Sequence, residues 1–109
     1  MDILTILKLT PSLVRFAGDA MMYSGSQYAV RCEAPEFRTD VDTPASLALE
    51  DDGWTEFASC VLSADPLRRG VRVGELSLAA GIPDGRCWLC ARMGGSVVFR
   101  VEVVVFAPR

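Results

Sequence analysis

The stretch from Arg86 to Phe106 narrows the folding choices of this chain more than any other. Val97, Phe99, Val101, Val103 and Val105 fall on one parity, and Val98, Arg100, Glu102, Val104 and Phe106 on the other. Successive side chains of a strand point to opposite faces. One face of this segment is therefore wholly apolar, and the other carries two charges at mid-length. Arg86 to Met93, just before it, is rich in side chains suited to sheet. Gly94-Gly95 between the two supplies a tight hairpin turn. A strand pair with one apolar face needs a second layer to bury it.

The rest of the chain keeps the same grammar. Ile3 to Leu9 reads as a first strand, stopped near Pro11, and Leu13 to Phe16 as a second short strand or a bend before Gly18-Asp19. Met21 to Cys32, interrupted at Ser24-Gly25-Ser26, reads as a hairpin or a bulged strand. Glu33 to Thr43, with Pro35 among acids, reads as a loop. Ser46 to Glu50 alternates as a strand, and Asp51-Asp52-Gly53 is a hairpin-closing turn. Trp54 to Leu62 fits helical spacing through Trp54, Phe57, Ala58 and Val61, but its shortness and flanking strand signals favour a strand. Asp65 to Gly70 is a turn-rich loop. Val71 to Ala79 changes apolar parity after Gly74, which implies a bulge there. About seven to eight short strands at this spacing predict an all-β fold, a small antiparallel β-sandwich or barrel. With 109 residues and no internal repeat, residues 1–109 form a single domain.

Composition excludes several functions. The net charge is -3, from 14 acids and 11 bases, which gives no basic footprint for nucleic acid. There is no histidine. That removes the commonest general base, the commonest metal ligand and the usual paired nucleophiles. No GxSxG, phosphate loop or dinucleotide-binding glycine turn is present, so no catalytic residues are assigned and the chain is not expected to be an enzyme. The start, Met1-Asp2-Ile3-Leu4, lacks the basic and apolar regions of a secretory signal. No run approaches the roughly 20 apolar residues that span a bilayer. A cytoplasmic origin with reduced thiols, and no membrane partner, follow as expectations.

The cysteines tempt a chemical reading. Cys87-x-x-Cys90 with Cys32 and Cys60 has the ligand count of a structural zinc site. In a strand, however, residues three apart face opposite ways, and the bulky Trp88-Leu89 between them is ill suited to a zinc knuckle. A redox CxxC opens a helix, whereas this one leads into Gly-Gly and a valine strand. The four thiols are best read as small buried hydrophobes, with Cys32 and Cys90 as core anchors beside Trp88 and Phe99. Glu50-Asp51-Asp52 with Asp40 and Asp42 offers oxygen ligands for calcium but lacks a loop of the right spacing, and serves better as a turn. Arg68-Arg69 with Arg72 reads as a solvated basic spot. No metal or cofactor is expected.

Two resemblances refine the fold. Asp84-Gly85-Arg86-Cys87-Trp88-Leu89-Cys90-Ala91-Arg92 resembles the strand signature of immunoglobulin variable domains, with Asp84, Trp88 and Cys90 on the matching positions and Cys32 lying 58 residues before Cys90. In that family the two cysteines bridge the sheets. Here no tryptophan follows Cys32 at the family's spacing, so the likeness implies an immunoglobulin-like sandwich and not an immune receptor. Ile82-Pro83-Asp84-Gly85 before an aromatic strand, the Gly94-Gly95 turn and a strand running to the chain end also resemble the small β-sandwich modules of tailed-phage tails, baseplates and capsid surfaces. That likeness implies a structural protein of a virion, made in the host cytoplasm.

The terminal strand supplies the mechanism. Val97 to Phe106 has high β-propensity, little net charge and no proline, the profile of an association-prone edge. Half of the residues are apolar, more than a lone small domain readily hides. The expected function is a non-enzymatic assembly subunit, a homo-oligomer or part of a larger complex with other protein subunits. Val98, Arg100, Glu102, Val104 and Phe106 would form its interface. The alternative is a monomeric intracellular module that inhibits or adapts a partner protein through its loops.

Overall fold

At the turn between the two last strands, Gly94 and Gly95 take φ angles of 61° and 84°. These lie in the left-handed region that glycine enters without a Cβ penalty. They join β7 (Gly85–Met93) to β8 (Ser96–Phe106) as antiparallel neighbours. This computed structural model describes residues 5–9 and 21–107, the former by backbone course alone. Leu13 to Phe16, expected as a strand or bend, lies outside the described residues.

In the hairpin, Cys87 pairs with Val103, Leu89 with Val101 and Ala91 with Phe99, and all six are buried. The register then slips: Arg92 pairs with Val97, so Val98 is an extra residue in β8. Such a bulge rotates the residues beyond it. Val97 thereby leaves the apolar row and is half exposed.

The remaining elements are β1 (Thr5–Leu9), β2 (Met21–Tyr23), β3 (Gln27–Glu33), α1 (Pro35–Thr39), β4 (Ala45–Glu50), β5 (Glu56–Ala64) and β6 (Val71–Ser77). The strands join in one sheet, ordered β1-β3-β6-β5-β4-β7-β8-β2. The fold is all-β, as expected, but it is not the antiparallel immunoglobulin-like sandwich. β1 runs parallel to β3, and β2 runs parallel to β8. The two halves are also not separate sheets. β5 pairs with β4 through Leu62, and its last residues, Ser63 and Ala64, pair with Val73 and Arg72 of β6. The sheet is a mixed one, curled into a half-barrel.

Two devices curl it. Gly74 lies where β5 passes from one half to the other, and a Cβ there would meet the Val61 carbonyl oxygen at 2.6 Å. Only glycine permits that approach. At the other end, Ser24 donates to the Phe106 carbonyl on the β8 side, while Gly25 donates to the Leu78 carbonyl on the β6 side. The Ser24-Gly25-Ser26 break is therefore where the chain changes sheet half, rather than a hairpin tip or a bulge. Both halves feed one core: Tyr28, Val30, Cys32 and Leu76 from one, and Leu47, Leu49, Leu89, Val101 and Val103 from the other.

Three local expectations change. The loop at Glu33 to Thr43 contains α1, a single turn with Pro35 at its start, a position that suits proline, and with Phe37 buried. The expected bulge at Gly74 is absent, since β3 and β6 pair without a break from Gln27↔Ser77 to Glu33↔Val71. The parity change arises because Arg72 takes the inner position opposite Cys32. Trp54 precedes the strand that the Trp54–Leu62 segment forms from Glu56 onward. Among the described residues no helix is long and apolar enough to cross a membrane.

Candidate functional site

The face of β4, β7 and β8 turned away from the core carries a cluster of charged and aromatic side chains. Register sets its rows: Glu50 beside Trp88 beside Glu102, and Ala48 beside Cys90 beside Arg100. Ser46 and Arg92 form the next row toward the Gly94-Gly95 turn.

The loop between β4 and β5 folds onto this face. The Asp51 carboxylate accepts hydrogen bonds from the amides of Gly53 (2.8 Å) and Thr55 (2.9 Å), an arrangement that aspartate makes readily at turns. Trp54 is held at a φ of 67°, unusual for a bulky residue. That conformation brings its indole over Arg100, with the guanidinium carbon 4.0 Å from the ring centroid. The Trp88 ring lies 4.6 Å from the same guanidinium. Arg100 is thus flanked by two tryptophans, a favourable arrangement of cation and aromatic quadrupole. It also donates to the Asp51 carbonyl at 3.3 Å.

Carboxylates complete the layer. The Trp88 indole N–H donates to Asp52 at 2.6 Å, and this bond, aided by Arg86, holds the Asp52 carboxyl below its ordinary range. Arg86 ion-pairs with Glu102 (3.3 Å) and Asp52 (3.5 Å), contacts that are well exposed and contribute little. Arg92 and Glu50 differ. Two hydrogen bonds of 2.7 and 3.2 Å make a bidentate pair around a carboxylate that is nearly buried, and the Glu50 bonds raise the Arg92 pKa. Beside that pair runs a shallow groove of about 570 Å³, lined by Glu50, Trp54, Glu56, Val61 and Arg92.

The five expected interface residues do lie on or beside this layer, in unequal roles. Arg100 and Glu102 are held within the network. Val98 is the bulge residue, half buried. Val104 is half buried and Phe106 is 38% exposed. Sequence reasoning missed their neighbours: β2 sets Met21 beside Val104 and Tyr23 beside Phe106, and Met21 (51%) and Tyr23 (43%) are exposed while Met22 between them is fully buried. Four apolar side chains thus adjoin at the outer edge of the sheet. The groove and the Trp54 loop were also missed.

The expected core anchors divide. Cys32 and Phe99 are in the core. Cys90 is fully buried but pairs with Ala48 and Arg100, beneath the outer layer rather than in the core cluster. Trp88 is not a core anchor; it stands on the outer face, half buried. Cys87, by contrast, faces the core, so the two cysteines of the CxxC point to opposite faces of β7. All four thiols are free. Burial raises each of their pKa values, that of Cys32 to about 12 with Cys60 adding to the effect. Thiols so held stay protonated and poorly nucleophilic.

The two remaining clusters resolve locally. Asp40 accepts from the amides of Asp42 and Thr43 and from the Thr43 hydroxyl, which lower its pKa and close the loop after α1. Arg72 is buried over the Phe37 ring at 5.3 Å and donates to the Asp40 carbonyl at 3.1 Å, so it is not part of a solvated basic spot. Among the described residues, no three of His, Cys, Asp and Glu gather as metal donors. No protein-family model matches this chain, and no curated protein matches it in sequence.

Proposed function

We propose that the chain is a non-enzymatic assembly subunit that binds other protein subunits through the outer side of β8. The observation that supports this reading is the apolar row of Met21, Tyr23, Val104 and Phe106. The row is contiguous by strand register and adjoins a hydrogen-bonded polar layer. Adjacent exposed apolar groups rimmed by charge mark protein interfaces more often than catalytic sites. The pre-ordered tryptophan–arginine layer beside it suits such a role, because a surface already fixed loses little freedom on binding. A virion is the proposed setting. It rests on the likeness of Ile82–Gly85 and the strands after it to phage tail and capsid modules.

The test is light scattering after size-exclusion at micromolar concentration. Self-association is expected for the native chain. Val104→Ser with Phe106→Ser is expected to abolish it while the far-ultraviolet circular dichroism stays that of a β protein. A native chain that remains monomeric at high micromolar concentration and binds no co-encoded partner overturns the reading. Capsid or tail genes next to the coding sequence would support the virion setting.

A further inference from the structure

β8 is far longer than the strand that covers it. β2 pairs with β8 only at Val104, Val105 and Phe106. Among the described residues, nothing pairs with that edge from Ser96 to Val103. An uncovered edge offers a row of backbone donors and acceptors, and valine-rich segments of low charge are the ones that use them.

The charges on this edge are arranged to match themselves. Arg100 and Glu102 sit on one face of β8, two positions apart. In an antiparallel pairing of two copies centred on Val101, Arg100 of each copy lies directly opposite Glu102 of the other. An antiparallel pairing centred on Arg100 would instead set Arg100 against Arg100. Like charges directly opposite are destabilising and unlike ones favourable. The two-fold centred on Val101 satisfies both charges at once, as an isologous contact requires. In this register pairing runs from Phe99 to Val103. Beyond it Val98 would meet Val104 of the second copy, where β2 lies, so Ser96–Val98 of each copy leave the shared sheet at the Val98 bulge. Arg100 also has hydrogen-bonding capacity left: among the described residues its acceptor is the Asp51 carbonyl alone.

We propose that two copies of this chain associate edge to edge through β8, antiparallel about a two-fold at Val101, with Arg100 and Glu102 exchanging partners across it. The inference rests on the assembly reading above and names its partner and register.

Amide hydrogen exchange on the native chain is the first measurement. Protection of amides between Phe99 and Val103 is expected to rise with protein concentration. Charge reversal is the second. Arg100→Glu and Glu102→Arg, each alone, place like charges opposite and should weaken self-association by roughly tenfold or more. An equimolar mixture of the two variants should recover association, because the two carboxylates of the first variant then face the two guanidinium groups of the second. If the native chain associates but Phe99–Val103 exchange is independent of concentration, the β8 edge is overturned and the assembly reading stands. If Glu102→Arg associates as tightly as the native chain, the register is overturned. A chain monomeric at every concentration overturns the β8 pairing, and it overturns the assembly reading as well when it binds no co-encoded partner.

Discussion

Trp88 and Leu89 are adjacent in the chain and live in opposite environments. Leu89 is fully buried between Leu49 and Val101, its neighbours in register. Trp88 stands among Glu50, Glu102, Arg86 and Arg100. One face of the hairpin is stabilised by removing apolar surface from water, and its strength grows with the area buried. The other is a layer of directional contacts, each small and dependent on its neighbours. The inner face therefore holds the fold, and the outer face sets the shape of a surface.

The largest test of this contrast is Leu89→Ala. The cavity it leaves in the shared core should destabilise the chain by about 3 kcal/mol, within the usual range for such truncations. Urea denaturation followed by circular dichroism measures it. A loss under about 1 kcal/mol would mean that the core does not depend on this strand. Among outer-face changes, Arg92→Met should cost most, since it strands the buried Glu50 carboxylate. Arg92 keeps 25% of its side chain in contact with water. The expected loss is therefore about 2 kcal/mol, below the roughly 3–5 kcal/mol of a fully buried pair. Replacing both partners, Glu50→Gln with Arg92→Met, should recover part of it.

How readable each face is in the sequence follows from the same contrast. The inner row from Phe99 to Val105 is a period-two repeat, and periodicity is a local property of the chain. Val97 departs from it because a bulge depends on how β7 pairs, which no single segment encodes. Trp88 does carry a local signal: it shares parity with Arg86 and Arg92, which cannot both be buried in a core. A large aromatic ring suits a core equally well, so parity and size point opposite ways at this position. Met21 and Tyr23 left no such trace as neighbours of Val104 and Phe106, because parallel pairing between strands more than 80 residues apart is purely tertiary. The continuous curl, with Gly74 pressed against Val61, is hidden for the same reason.

A smaller effect sharpens the account of the outer layer. Trp54→Ala and Arg100→Met, singly and together, form a cycle whose coupling should be about 1 kcal/mol. The cycle cancels what each residue does elsewhere, Arg100 against the Trp88 ring and Trp54 against Arg92 at 5.8 Å. Zero coupling would reduce Trp54 to a loop residue that happens to lie flat.

The smallest effect is set by pH. Asp52 is held below its ordinary value of 3.8, first by the Trp88 indole and then by Arg86 and Arg100. A carboxyl depressed in the folded state contributes stability that is present above the unfolded value and lost as pH falls through the folded one. The contribution should therefore be whole near neutrality and decline below about pH 4. Asp40 shifts in the same direction through Thr43, so the native chain alone cannot assign the loss. Asp52→Asn removes only one of the two. The stability difference between the native chain and this variant should shrink as pH falls from about 5 to below 3, and tryptophan fluorescence in urea titrations reads it. A difference that stays constant over that span would show that the Asp52 charge contributes nothing, and that the indole hydrogen bond alone ties the loop to the sheet.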